Sequence, residues 1–383
     1  MRSFANRTEG FQDSIFAVMS KKAVENNAIN LSQGFPDFDG PQFLKESAAD
    51  FIRQGHNQYA PFAGVEPLRS ALSDIYKRFY DLSYDKDLEV TVVNGATEGI
   101  YATIQALVNP GDEVVVFEPV YDSYVSSIQL AGGIPVPVTL KGENFSFDPA
   151  ELEEAINHQT KLIIINSPHN PSGKIFNQSE LEAVAKAAIE NDCFVLSDEV
   201  YEHLTYDGNK HIPIASLEGM FERTVTVSSA GKTFGLTGWK VGWCCGHENI
   251  IDRIRKLHQY ITFSIATPLQ LAVAQGLRDI DGYLPEFRSS YQSKRDFFHQ
   301  GLKDLGFDFP SPGGTYFMML PIGGKTALSD VEYCEELIME NKVASIPSSA
   351  FYLKSQEGKK YLRVCYAKKE ATLKAALKSL GAV

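Results

Sequence analysis

Lys232 has more chemistry within reach than any other residue of the chain. It follows the β-branched run 224–227 and four small residues, Ser228, Ser229, Ala230 and Gly231. A lysine presented at the end of a buried strand, among residues too small to cover it, sheds its charge readily. It then becomes a nucleophilic amine, the form that makes a Schiff base. Two plainer readings compete. Gly231-Lys232-Thr233 matches the end of a P-loop, but that motif needs a glycine where Thr226 stands, inside the strand run, and is rejected. The other reading is a solvated lysine, the usual state of that residue. Setting it aside requires partners elsewhere in the chain.

In a parallel α/β sheet, ligands sit beyond the carboxyl ends of the strands, so the residues after each apolar run are the candidates. After 90–93 comes Asn94-Gly95-Ala96-Thr97-Glu98-Gly99 and then a helix. Small residues there leave N–H groups open to a phosphate, although many strand-to-helix turns are glycine-rich. After 114–117 comes Glu118-Pro119-Val120-Tyr121, whose ring is either a stacking plate or core. After 162–165, two prolines and a glycine fix the backbone around Asn170. After 194–196 comes Ser197-Asp198-Glu199-Val200-Tyr201. Burying Asp198 unpaired would cost several kcal/mol, so it needs a cationic or proton-donating partner unless water reaches it. Gly34 opens a turn-dense stretch and either lets backbone approach a ligand or simply turns the chain.

These positions imply the elements that carry them. Apolar runs at 90–93, 114–117, 162–165, 194–196, 225–227 and 241–244 alternate with helical patterns. Strands without polar alternation, separated by helices, define an α/β fold with a mostly parallel sheet covered on both faces. Asp148-Pro149-Ala150-Glu151 has the form of a helix start, and Ser179 to Glu182 reads as a capping box. A helical stripe runs through 66–81. The large domain is expected over 45–283 and a small α+β domain over 284–383. The latter has helices at 291–305, 331–341 and 369–380 and strand-like runs at 315–320 and 361–366. Residues 1–44 join the small domain, and 1–45 read as irregular.

Composition narrows the partners. A chain of 383 residues exceeds the usual single-core size. A net charge of −12 argues against nucleic acid or an anionic membrane as the main partner. No apolar stretch reaches membrane-helix length, and the N-terminus lacks a signal-peptide core. Five cysteines without C-x-x-C spacing point to a reduced cytoplasmic protein with no structural metal.

Phosphate donors, an aromatic plate, a fixed amide, a buried carboxylate, a hydroxyl and a Schiff-base lysine on one sheet edge are what pyridoxal 5′-phosphate requires. The chain resembles the fold-type I pyridoxal-phosphate aminotransferases of class I over essentially its whole length. The stretches that carry the resemblance are Asn30 to Pro36, His169-Asn170-Pro171-Ser172-Gly173, Ser197 to Glu202, Ser229-Ala230-Gly231-Lys232-Thr233 and Tyr361-Leu362-Arg363. Gln58-Tyr59-Ala60-Pro61, Thr237-Gly238-Trp239-Lys240-Val241-Gly242 and His258-Gln259-Tyr260 are most similar to the methionine and kynurenine aminotransferase subgroup.

The resemblance implies a role for each residue. Lys232 would carry the cofactor as an aldimine and shuttle the substrate proton. Asp198 would pair with the ring nitrogen, Asn170 and Tyr201 with the ring 3-oxygen, and Tyr121 would stack. Ala96, Thr97, Ser229 and Lys240 would hold the phosphate, with Tyr59 reaching it from a second subunit of a homodimer. Arg363, Asn170 and the Gly34 backbone would hold the substrate carboxylate. Lysine at 240, where many class I members have arginine, weakens the analogy with aspartate-specific enzymes. Phe16, Phe35, Tyr59 and Phe263 are candidate pocket walls, although Phe16 and Phe263 are equally candidates for core. The implied activity is ping-pong transfer of an amino group from methionine, an aromatic amino acid or kynurenine to a 2-oxo acid. Cysteine-S-conjugate β-elimination, aspartate transamination and a non-catalytic cofactor sensor are the alternatives.

Overall fold

The computed structural model describes residues 4–11 and 13–381. Seven strands build the central sheet: β1 (Val90–Asn94), β2 (Glu113–Glu118), β3 (Ile134–Thr139), β4 (Thr160–Asn166), β5 (Phe194–Asp198), β6 (Thr224–Ser229) and β7 (Val241–Gly246). Their spatial order is β1-β7-β6-β5-β4-β2-β3. β7 runs antiparallel to β1 and β6, while the remaining neighbours pair in parallel. Nearly every residue of β2 and of β4 to β7 is buried. That two-sided burial is why β2 and β4 read as unbroken Val/Ile runs and why even the Thr, Ser and Cys positions of β6 and β7 lie inside.

The sequence reading found six of the seven strands. It missed β3, where Pro135 and Pro137 interrupt an otherwise apolar run. A proline cannot donate to a ladder, but β3 is an edge strand that pairs only with β2, so the missing donors are tolerated.

Three helix expectations need correction. Residues 1–45 are not irregular throughout, because Ile15–Glu25 is a helix capped by Ser14, which buries Met19 and Ala23. The second capping box is centred on Asn177: its side chain accepts from the Glu180 amide, and Glu180 returns the bond. Ser179 instead donates its hydroxyl to Asn177 Oδ1. The helix expected from 291 begins at Ile280 and runs to Asp304, carrying Pro285 within it. The division expected after 283 therefore falls inside one continuous helix. The Asp148-Pro149 start is as expected.

A second sheet of three antiparallel strands combines Ile346–Pro347, Tyr361–Cys365 and Phe317–Pro321. The N-terminal segment is tied to this part of the molecule. Ile29–Asn30 pairs in parallel with Val343–Ala344, and the Cys365 amide donates to Leu31 O at 2.8 Å. This anchorage places Gly34 beside the large sheet's carboxyl edge. Among the described residues, no helix is long and apolar enough to cross a membrane, and no His/Cys/Asp/Glu group could hold a metal.

Candidate active site

β7 runs against the other strands, so its starting end lies where β1 and β6 finish. Lys240, immediately before β7, is thereby brought to the turn Asn94-Gly95-Ala96-Thr97. A cavity of about 340 Å³ opens at this edge, within the size range of small-molecule sites. Thirteen of the expected residues line it: Phe16, Gly34, Phe35, Ala96, Thr97, Tyr121, Asn170, Asp198, Tyr201, Ser229, Lys232, Lys240 and Arg363. Tyr59 and Phe263 do not. Tyr59 is 84% exposed and packs edge-on against the half-exposed Phe263, with ring centres 5.3 Å apart.

One end of the cavity is built from glycine and lysine. Gly95 has φ +72°, and a side-chain carbon there would meet Lys240 Nζ at 3.0 Å. A Cβ on Gly242 would lie 2.6 Å from the Gly95 carbonyl carbon, so β7 and the turn touch through bare backbone. Lys240 Nζ reaches Thr97 Oγ1 at 3.5 Å. Glu98 braces the turn from below, accepting from the Asn94 amide, from His258 Nδ1 at 2.8 Å and from Thr262 Oγ1 at 2.9 Å.

At the cavity floor, Asp198 ends β5 and is 4% exposed. Its carboxylate accepts from the Tyr124 hydroxyl at 2.6 Å and from the Val200 amide at 3.3 Å. Burial outweighs these bonds and the nearby Lys232 charge, and pushes the Asp198 pKa up to about 6. The expected proton-donating partner is therefore Tyr124, on the helix Asp122–Ala131. The sequence carried no signal for it, since nothing in the spacing separates Tyr124 from an ordinary core tyrosine. Asn166 reinforces the floor: its amide donates to Asp198 O at 2.8 Å, and its Oδ1 accepts from the Asn170 amide at 2.7 Å.

Arg363 closes the opposite wall. It donates to Ser32 O at 2.6 Å and to Asn170 Oδ1 at 3.2 Å, while its Nε is buried without a partner. Its guanidinium lies 4.3 Å from the Phe317 ring centre and 4.8 Å from that of Phe16. Burial pulls the Arg363 pKa down to about 10.

Lys232 is not solvated. Its Nζ donates to the Tyr316 hydroxyl at 2.9 Å and faces Gly34 O at 3.3 Å. Burial pulls its pKa down to about 8, against the opposing pull of the nearby Asp198 carboxylate. Tyr316 and Glu98 are further site residues that the sequence reading missed.

A lysine amine, a buried carboxylate and a glycine-lined cationic cup at the edge of the large sheet, faced by a buried guanidinium from the small sheet, suit chemistry on a small anionic ligand. Comparison with known proteins agrees. Residues 26–380 match the family model of the class I and II aminotransferases. The methionine aminotransferase of Escherichia coli is 44% identical over 370 residues, covering 96% of this chain and 95% of that protein. The kynurenine–oxoglutarate transaminase of Dictyostelium discoideum is 39% identical over 97% of this chain and 94% of its own length. The solved structure of the N-succinyldiaminopimelate aminotransferase from Mycobacterium tuberculosis superposes with a TM-score of 0.96 at 39% identity, covering 99% of both chains. The chain belongs to the class I and II aminotransferases. It is an enzyme, and its reaction is amino-group transfer.

Proposed function

We propose that this aminotransferase holds pyridoxal 5′-phosphate and takes its amino group from an L-amino acid with an apolar or aromatic side chain. Methionine, the aromatic amino acids and kynurenine are the leading donors, with a 2-oxo acid as acceptor. When bound, the cofactor supplies an electron-accepting ring that stabilises negative charge at the substrate Cα.

The chain's own residues fit that group. The cup of Gly95, Ala96, Thr97, Ser229 and Lys240 suits a phosphate, because amide and hydroxyl donors there meet a lysine charge. Asp198 suits a protonated ring nitrogen. A cation at hydrogen-bond distance would relieve the burial penalty that holds its pKa near 6. Tyr201 and Asn170 suit the ring 3-oxygen, and Tyr121 its face. Arg363 and Asn170 would clamp the substrate carboxylate, Arg363 offering its unpartnered Nε side. Lys232, as a neutral amine, would attach the cofactor and carry the proton removed from the substrate Cα.

Donor preference rests on one observation. The cations lining the cavity, among the described residues, are Lys232, Lys240 and Arg363. Each already has a role, and none remains for an acidic side chain. What is left of the wall is mostly apolar, with Phe16, Phe35, Ile100, Val200, Val241 and Phe317 beside the uncharged polar Gln33, Asn166 and Thr237.

Tyr59 and Phe263 form one exposed aromatic unit away from this chain's cavity. We infer a homodimer in which that unit completes the pocket of the second copy. Five buried free cysteines suit the reducing cytoplasm.

A panel of donors with a fixed 2-oxo acid tests the reading. Methionine, phenylalanine or kynurenine should exceed aspartate and N-succinyldiaminopimelate in kcat/KM, and Lys232→Ala should abolish turnover. Faster transfer from aspartate or the succinylated donor would overturn the apolar-pocket reading, and wild-type turnover by Lys232→Ala would overturn the site.

A further inference from the structure

Tyr316 stands outside the cavity wall, on the far side of Lys232, and is only 1% exposed. It precedes the strand Phe317–Pro321 and follows Thr315, whose φ is +62°. Three rings lock it in place. Tyr201 meets it edge-on with centres 5.1 Å apart, Tyr291 stacks at 6.1 Å, and Phe317 packs beside it at 4.8 Å. Aromatic contacts on several sides leave the phenol no second rotamer.

The hydroxyl has a single proton, and its contacts decide where that proton goes. Tyr316 Oη lies 2.6 Å from Gly34 O, a carbonyl that can only accept. The phenolic proton is therefore committed to Gly34. The 2.9 Å contact between Lys232 Nζ and Tyr316 Oη must then run the other way, with the amine donating. Gly34 O, 3.3 Å from the same nitrogen, is a second acceptor. A neutral amine has two N–H bonds and one lone pair. Both hydrogens find acceptors on the Tyr316/Gly34 side, so the lone pair is left on the opposite side. That lone pair is what adds to a carbonyl carbon or takes a proton from the substrate Cα.

We propose that Tyr316 is a positioning residue for Lys232. It receives the free amine, holds it in one rotamer, and leaves the lone pair unblocked while the lysine acts as nucleophile and base. The assignment rests on Lys232 acting in those roles, as argued above. It also joins three distant parts of the chain: Gly34 of the N-terminal segment, Lys232 after β6, and the approach to the small sheet. The charged and titratable groups facing the amine from packed elements are Asp198, Arg363, Cys365 and Lys240, with the phenols of Tyr201 and Tyr316.

The test uses Tyr316→Phe, which keeps the ring and deletes the acceptor. The first readout is made on protein stripped of cofactor: the pH dependence of Lys232 labelling by a small amine-reactive reagent, followed by peptide mass spectrometry. An acceptor stabilises the ammonium more than the amine, so its loss should lower the labelling midpoint by about one pH unit. The second readout is steady-state kinetics. kcat should fall about tenfold to a hundredfold, with KM for the amino donor changing less than threefold. Tyr291→Phe, which alters a ring that stacks on Tyr316 without touching Lys232, should leave the midpoint in place. If Tyr316→Phe does not fold, 4-fluorophenylalanine at 316 fills the space of the hydroxyl with a far weaker acceptor that cannot ionise, and should shift the midpoint in the same direction. An unmoved midpoint, or equal shifts in the Tyr316 and Tyr291 variants, would overturn the proposal. The labelling readout needs no turnover. Should no donor react with wild-type enzyme, the proposed function would fail while the midpoint still decided Tyr316.

Discussion

Two buried carboxylates end neighbouring regions of the same sheet, and the fold treats them differently. Glu118 closes β2 and is fully buried. It accepts from Leu353 N at 2.7 Å, Lys354 N at 3.1 Å, Ser355 N at 3.0 Å and Thr139 Oγ1 at 2.8 Å. Both its oxygens are satisfied by donors the protein owns, and the loop at 353–355 is pinned to the large sheet. Asp198, two strands away across β4, is nearly as buried but has one phenol and one longer amide contact. Its pKa is pushed up to about 6 by burial. Buried charge is stable only when compensated. Glu118 is compensated by the protein itself and acts as a brace. Asp198 is compensated only in part, as expected of a group that awaits a cation from outside the chain.

Removing each carboxylate in turn separates the two roles. Asp198→Asn should lower kcat about 10²–10³-fold, because a neutral amide cannot keep a ring nitrogen protonated. The same variant, stripped of cofactor, should be more stable than wild type near pH 8, by up to about 3 kcal/mol in urea unfolding. Glu118→Ala should do the reverse. It strands three backbone N–H groups and should cost about 3 kcal/mol, with kcat of the folded enzyme changed less than about fivefold. A Glu118→Ala protein of wild-type stability would remove the basis for calling it a brace.

The pH dependence of stability sharpens the contrast. Folding raises the Asp198 pKa from 3.8 to about 6. Across that window the folded state binds more protons than the unfolded one, so its contribution to stability declines as pH rises and stays lost above about 6. Urea unfolding of cofactor-free protein should show this decline in wild type and a flatter curve in Asp198→Asn. Tyr124→Phe gives the smallest effect. Losing the phenol should destabilise cofactor-free protein by about 1–2 kcal/mol and raise the Asp198 pKa further.

How much of this was legible in the sequence follows from the same physics. Strands β1, β2 and β4 to β7 are visible because burial on both faces demands unbroken apolar runs, and the residues just beyond them gave most of the site. The edge strand β3 escaped because its two prolines look like a loop when the one-sided pairing is unknown. The helix Ile15–Glu25 shows helical spacing at Phe16, Met19 and Ala23, but the turn-dense segment that follows masks so short a pattern. Lys232 and Asp198 are visible as charges beside apolar runs, whereas Arg363 is reached only through the family resemblance. Tyr124, Tyr316 and Glu98 did not. Phenols and glutamates are common in sequence, and what makes these three matter is a contact across 74, 84 and 160 residues with Asp198, Lys232 and His258. Tyr59, expected to reach the phosphate of a second subunit, and Phe263, expected in a pocket wall, meet each other on the surface of this chain.

The measurement that bears most directly on the account is the stabilisation each form gains from added pyridoxal 5′-phosphate, read as the rise in Tm. Wild type and Glu118→Gln should gain equally, because the second retains its shape and an acceptor oxygen and Glu118 does not line the cavity. Asp198→Asn should gain much less, since it has no buried charge for the cofactor to compensate. An equal gain in all three would contradict the claim that Asp198 is the partner this fold leaves waiting.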